Sequence, residues 1–147
     1  MGHNSLFDNR ILLASLLAWA IAQISKTIID LIQQRRLILS RLVSSGGMPS
    51  AHSALVTGLA TAIGRLNGLG SASFAIAVIM ASIVMYDAAG VRRAVSIQAR
   101  ILNQMIDEAF QGSPMAEKRL RELIGHTPVQ VLVGALLGVG IGILMTL

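Results

Sequence analysis

The chain has 147 residues, of which 54% are hydrophobic and 13% charged, about half the roughly 25% charge of an ordinary soluble domain, and its mean hydropathy is +0.70. Cysteine is absent, which excludes disulfide and thiol chemistry. The net charge of +5 does not point to nucleic acid, because aromatic residues for base stacking make up only 3% of the chain and the basic residues fall between apolar runs, as they do in cytoplasmic loops.

The length suits one domain, 1–147. The opening "MGHNSL" does not read as a signal peptide. Asp8 and Arg10 directly precede the first apolar run, and no small-residue cleavage site follows it. Leu6 stands where myristoylation of Gly2 would need Ser or Thr, and His3 is given no role.

Four apolar runs follow, at about 11–32, 51–65, 72–89 and 129–147. Ala, Leu, Ile, Val and Gly mix in them without strand alternation, and their lengths suit helices. The predicted fold class is therefore all-α, a polytopic membrane helical bundle of about four transmembrane helices. A full crossing takes about 20 residues, so the second run is short or tilted. Val91 to Phe110 reads as an amphipathic helix on the cytoplasmic side, lying on the membrane surface or extending the third span. Its Val95, Leu102, Met105, Ile106 and Ala109 share a face, with Arg100, Gln104 and Asp107 elsewhere. "QGSPMAEKR" reads as a loop.

Loop charge sets the orientation. Arg35, Arg36 and Arg41 follow the first run; Arg92, Arg93, Arg100, Lys118, Arg119 and Arg121 follow the third; "LNGLGS", between the second and third, carries none. The two basic loops are predicted to be cytoplasmic and both termini outside, in a bacterial-type plasma membrane. The three stretches richest in chemistry, "GGMPSAHS", "YDAAGVRR" and "GHTPVQV", then meet at one membrane face.

Each of these stretches has a bland reading beside a functional one. In "GGMPSAHS", glycine freedom, Pro49 at the first helical position and the backbone N–H groups of a helix start would make a phosphate cradle within reach of Ser50 and His52. The bland reading is a capped helix with His52 at the headgroups. In "GHTPVQV", Thr127, Pro128 and Gln130 fit a cap, a first-turn proline and a capping-box partner, so the helix starts at Pro128 with His126 just before it; or Gly125 and His126 are only a turn. In "YDAAGVRR", Arg92 and Arg93 can grip phosphate or simply anchor the loop, while the Asp87 carboxylate needs a partner among those arginines or Lys26. The first run also carries a polar stripe, Gln23, Lys26, Thr27, Asp30, Gln33 and Gln34, on one helical face. Ionisable groups are costly in lipid, which turns this stripe toward the bundle interior, unless Lys26 and Asp30 merely neutralise each other. No ligand set at tight helical spacing suggests a metal, and neither a Gly-x-Ser-x-Gly elbow nor a phosphate-loop lysine motif is present. No cofactor is expected.

Together "GGMPSAHSA", "YDAAGVRR", "QARILNQ" and "IGHTPVQVLVGALLG" resemble the divergent branch of the type 2 phosphatidic acid phosphatase superfamily, relatives of the vanadium haloperoxidases. The likeness runs from about Gln23 to Gly138. It implies a helical bundle that hydrolyses phosphate esters without a metal, one histidine attacking phosphorus and a second protonating the leaving oxygen. By position, His126 matches the nucleophile, with Val131 and Gly134 in that motif's usual places. His52 of Pro49-Ser50-Ala51-His52 matches the acid, with Ala51 where glycine is usual, and Lys26 resembles the first-motif lysine. Three departures stand out. Gln130 replaces the acidic residue that orients the nucleophile, Gln33 replaces the first-motif arginine, and the third-motif arginine has no counterpart at its usual spacing. Arg92 or Arg93 could stand in for the arginines and Asp87 for the carboxylate, which is an inference from this chain and not part of the likeness.

The resemblance implies an integral membrane phosphatase, acting on a lipid phosphate or isoprenoid diphosphate at the cytoplasmic face. The alternative is a catalytically weak or inactive membrane protein that binds phosphate headgroups or scaffolds a partner. Membrane lipids are the expected partners and nucleic acid is not one. Gly134, Gly138 and Gly142 form a small-residue face that either joins two chains as a homodimer or packs the fourth span within one.

Overall fold

The computed structural model describes residues 6–34, 47–109 and 126–147, all their regular elements being helices. A short 3-10 turn, Leu6–Asp8, precedes α1 (Arg10–Gln34), α2 (Ala51–Asn67), α3 (Ala72–Ala89), α4 (Val91–Ala109) and α5 (Pro128–Met145). These match the predicted runs to within a few residues. The basic residues at 35, 36, 41, 118, 119 and 121, the "QGSPMAEKR" stretch and Phe110 lie outside the described residues.

Among the described residues, three helices are long and apolar enough to cross a membrane: Arg10–Ile32, Ala72–Ala89 and Pro128–Met145. The sequence predicts a short fourth span at α2, which is one residue shorter than α3 and α5 and is not among those three. It has 17 residues, about 25 Å at 1.5 Å per residue, and it is the central helix, packed against α1, α3 and α5. Its buried residues are small, among them Ala54, Gly58, Ala60, Ala62 and Gly64. A helix wrapped by its neighbours needs little lipid-facing apolar surface, which explains its modest hydrophobicity.

Large and small side chains are sorted by face. The core is Ala14, Ala18 and Ala22 of α1 with Ala51 and Ala54 of α2, partly covered by Leu137 and Ile141. Ile24 and Ile28 of α1, Ile76, Ile79 and Ile83 of α3, and Leu132, Leu136 and Leu144 of α5 are exposed. A water-soluble core does the reverse. In lipid, burying a large aliphatic chain brings no hydrophobic gain, so small residues take the contacts and let backbones approach.

The closest approach is between α2 and α5. A Cβ added at Gly134 would strike the carbonyl of Ser50, one at Gly138 the carbonyl of Ala54 and the Thr57 hydroxyl, and one at Gly142 would lie 2.7 Å from Thr61 Cβ. Both series advance by about four residues, so the two helices run parallel and in register. The single proton of Thr57 Oγ1 is shared between Ser53 O at 2.8 Å and, across the pair, Ala135 O at 3.0 Å. The glycine face is therefore occupied inside one chain. Against α2, α1 runs antiparallel, with Ser15 Oγ donating to Leu55 O at 3.2 Å; α3 is also antiparallel, with the Phe74 ring over Gly64.

Between α3 and α4 the chain barely breaks. Gly90 N–H donates to Tyr86 O at 2.8 Å, and Ala94 N–H donates to Gly90 O at 3.0 Å. On α4 the buried residues are Ala99 and Asn103, whereas Val95, Leu102 and Met105 of the predicted apolar face are exposed. That face is thus turned away from the protein, the arrangement an interfacial helix adopts when lipid covers its apolar side.

Gly138→Ala should cost about 1–3 kcal/mol, the ordinary penalty of overpacking. Gly140→Ala, whose Cβ would meet nothing within 4 Å, should stay within about 0.5 kcal/mol of the parent. Thermal unfolding of the two variants in detergent checks the difference.

Candidate functional site

The start of α5 is built as its sequence predicts. Thr127 is the N-cap; its hydroxyl accepts from Gln130 N–H at 3.4 Å, and Gln130 Oε1 accepts from Thr127 N–H at 3.0 Å, with Pro128 in the first turn. This capping box satisfies two helix-end donors at once. His126 stands just before it, 2% exposed, with Nδ1 3.3 Å from the same Gln130 Oε1.

That geometry decides a tautomer. A backbone N–H can only donate, so the amide atom facing Thr127 must be the oxygen. His126 Nδ1 faces the same oxygen and must also donate. The neutral ring then carries its proton on Nδ1 and its lone pair on Nε2. Gln130 holds the imidazole as a carboxylate would, but without a charge.

The start of α2 differs from expectation in one respect. Pro49 is predicted at the first helical position; instead Ser50 is the N-cap and the helix begins at Ala51. Ser50 is fully buried. Its hydroxyl accepts from Ser53 N–H at 3.4 Å and from Ser53 Oγ at 3.0 Å. Its backbone N–H donates to Gln130 O at 3.1 Å. Gln130 thus joins both helix starts, the carbonyl holding the cap of α2 and the side chain closing the cap of α5 onto His126. His52, the second residue of α2, is half-buried.

Lys26 comes to the same place from α1. It is 2% exposed, and a Cβ added at Gly47 would lie 2.9 Å from its Cδ. Gly47 has φ +95, a conformation that suits glycine, and its bare α-carbon is the surface on which the lysine stem rests. Asp87 lies in the last turn of α3, half-buried, at the end of the bundle where antiparallel α3 meets the start of α2. Arg92 and Arg93 fall in the first turn of α4, and their side chains lie outside the described residues.

Contacts therefore connect Lys26, Ser50, His126 and Gln130 through Gly47 and the two caps, with His52 two residues beyond Ser50. Two parallel helices begin side by side here, each presenting a positive dipole end. The arrangement suits an anion. Among the described residues no group of three or more His, Asp or Glu side chains could hold a metal ion.

The profile of the divergent PAP2 family matches residues 7–141, a stretch that contains both helix starts and every candidate residue. The chain belongs to that family. It is also 42% identical over 145 residues to the protein named "Uncharacterized membrane protein YuiD" of Bacillus subtilis (strain 168), covering 91% of this chain and 92% of that protein. No solved structure matches.

One residue at these helix starts was not singled out from sequence: Ser53 completes the buried cap by bonding to Ser50. Gly134, which the sequence did single out, makes the close approach to Ser50 that admits the α5 start. Asn103, buried on α4, is a second polar residue without a predicted role; it lies within the quoted "QARILNQ" stretch and off the apolar arc of its helix.

Gln130→Leu removes the shared acceptor. The ¹⁵N resonances of His126 should then shift from an Nδ1-protonated ring toward a mixture of tautomers, while Gln130→Glu should keep the Nδ1 proton in place. The same Leu substitution should lower stability by about 1 kcal/mol through loss of the cap.

Proposed function

We propose that this chain is an integral membrane phosphatase that removes phosphate, without a metal, from a lipid phosphate or isoprenoid diphosphate presented at the cytoplasmic face. The observation that carries the reading is His126: buried, with Nδ1 3.3 Å from Gln130 Oε1, an arrangement that in the neutral ring puts the lone pair on Nε2, at a helix start that adjoins the start of the helix bearing His52.

The chemistry follows from those groups. His126 Nε2 attacks phosphorus, forming a P–N bond as the bond to the leaving oxygen breaks. Protonated His52 gives its proton to that oxygen. Water then attacks the phosphohistidine, His52 takes back a proton, and the P–N bond breaks to release inorganic phosphate and neutral His126. Lys26, Arg92 and Arg93 hold the phosphoryl oxygens, assisted by the N–H groups of the two helix starts. The ring becomes a cation when Nε2 is bonded to phosphorus. Gln130 orients it but cannot neutralise it, and we assign the neutralising charge to Asp87, a carboxylate at this end of the bundle.

The neutral Gln130 is also the observation that favours the second reading, a weak or inactive protein that binds phosphate headgroups. Its Oε1 serves two donors and carries no charge to stabilise a histidinium. A general acid or base term is worth roughly 10²–10⁴-fold in rate.

The deciding experiment is phosphate release by the purified protein in detergent with EDTA, on phosphatidic acid, phosphatidylglycerol phosphate and an isoprenoid diphosphate. Release should persist in EDTA, vanish in His126→Ala, fall by about 10²-fold or more in His52→Ala, and rise in Gln130→Glu. Equal signals from the parent and His126→Ala on all three substrates would select the headgroup-binding reading.

A further inference from the structure

Along the flank of the bundle, from Thr57 and Met85 to Arg65 and Leu69 at the end opposite the histidines, α2, α3 and α5 border a groove of about 460 Å³. Its floor is Ala60 and Gly64, and its walls include Phe74, Ala81, Val139 and Ile143. Arg65 stands at its outer end. Among the described residues that line the groove, Arg65 is the one cation, and none is a carboxylate.

Arg65 is not loosely placed. Its Nε donates to Thr146 Oγ1 at 2.8 Å. The Thr146 hydroxyl in turn donates to Gly142 O at 2.7 Å, so its oxygen is fixed as the acceptor, and Thr146 itself is buried. With Nε committed, the N–H groups on the two Nη atoms have no partner among the described residues. Arg65 is exposed. A guanidinium held by one edge presents the remaining donors as a planar fork, which matches two oxygens of a phosphate.

The geometry points to a binding site for one anionic phospholipid, its phosphodiester on the Arg65 fork and one acyl chain in the α2–α3–α5 groove. Charge selects this occupant. A lone cation at the mouth of an apolar slot asks for an anion with an apolar tail. The walls are set for it: Gly64 leaves room beneath the Phe74 ring, and Ala60 and Ala81 keep the middle of the slot open. The site makes no use of His126, His52 or Lys26, and it stands whether or not the chain hydrolyses phosphate.

The test is native mass spectrometry of the full chain, released from detergent after incubation with equal amounts of dioleoyl phosphatidylglycerol and dioleoyl phosphatidylcholine. The parent should retain one phosphatidylglycerol in preference. Arg65→Gln should weaken that lipid about tenfold, to the level of phosphatidylcholine, as expected for loss of a charge-assisted hydrogen-bonded contact. Arg65→Lys, which keeps the charge without the fork, should fall between them. Ala81→Phe, which fills the slot, should lower retention of both lipids, and it decides the matter if Arg65→Gln does not fold. Equal retention of the two lipids by the parent, or unchanged phosphatidylglycerol preference in Arg65→Gln, or unchanged retention in Ala81→Phe, overturns the proposal.

Discussion

The structure depends on backbone-to-backbone contact between α2 and α5. At Gly134 and Gly138 there is no space for a single added carbon between the helices, and that distance is available only to glycine. Because the contact repeats at one-turn intervals in register, the helices are parallel and begin at the same level. This brings Ser50 N–H to the carbonyl of Gln130 and sets the cap that carries His52 beside the cap that carries His126. Parallel neighbours align their dipoles unfavourably, and the antiparallel α1 and α3 on either side of α2 offset this. At the helix starts, the positive ends remain together and face whatever anion arrives.

Around that contact the bundle is sorted inside out. Alanine, glycine, serine and threonine fill the interior, and isoleucine and leucine cover the outside. Stability in such a bundle comes from close van der Waals packing and from interhelical hydrogen bonds such as Thr57 to Ala135 O and Ser15 to Leu55 O, with no hydrophobic force pulling helices together in lipid. It also explains how Lys26 comes to be buried. A long side chain enters where its neighbour is a glycine, and Gly47 provides that gap against the lysine stem.

The two ends of the bundle use the same means for different surroundings. One end gathers helix starts, two histidines and a buried lysine around Gln130. The other gathers a helix terminus, Arg65 and Thr146 beside an apolar groove. In each, a side chain with several donors or acceptors is oriented by a short hydrogen-bond chain. Orientation by a neutral neighbour runs through both sites, Gln130 for the imidazole and Thr146 for the guanidinium.

Much of this was legible in the sequence. Apolar runs bounded by polar segments, with no alternation, determine the helices, because burial in lipid demands internally satisfied backbone. "HTPVQ" determines the cap of α5 outright, since a capping box is a local interaction among residues three apart. The pairing of "PSAH" with "GHTPVQ" as one site was legible through family likeness and span topology. Packing alone decided the rest. The place of α2 at the centre, the occupation of the glycine face within one chain, the seating of Lys26 on Gly47 and the anchoring of Arg65 by Thr146 each join residues far apart in the chain. The composition of a helix states how much apolar surface it offers, and only the fit of its neighbours determines which surface is covered.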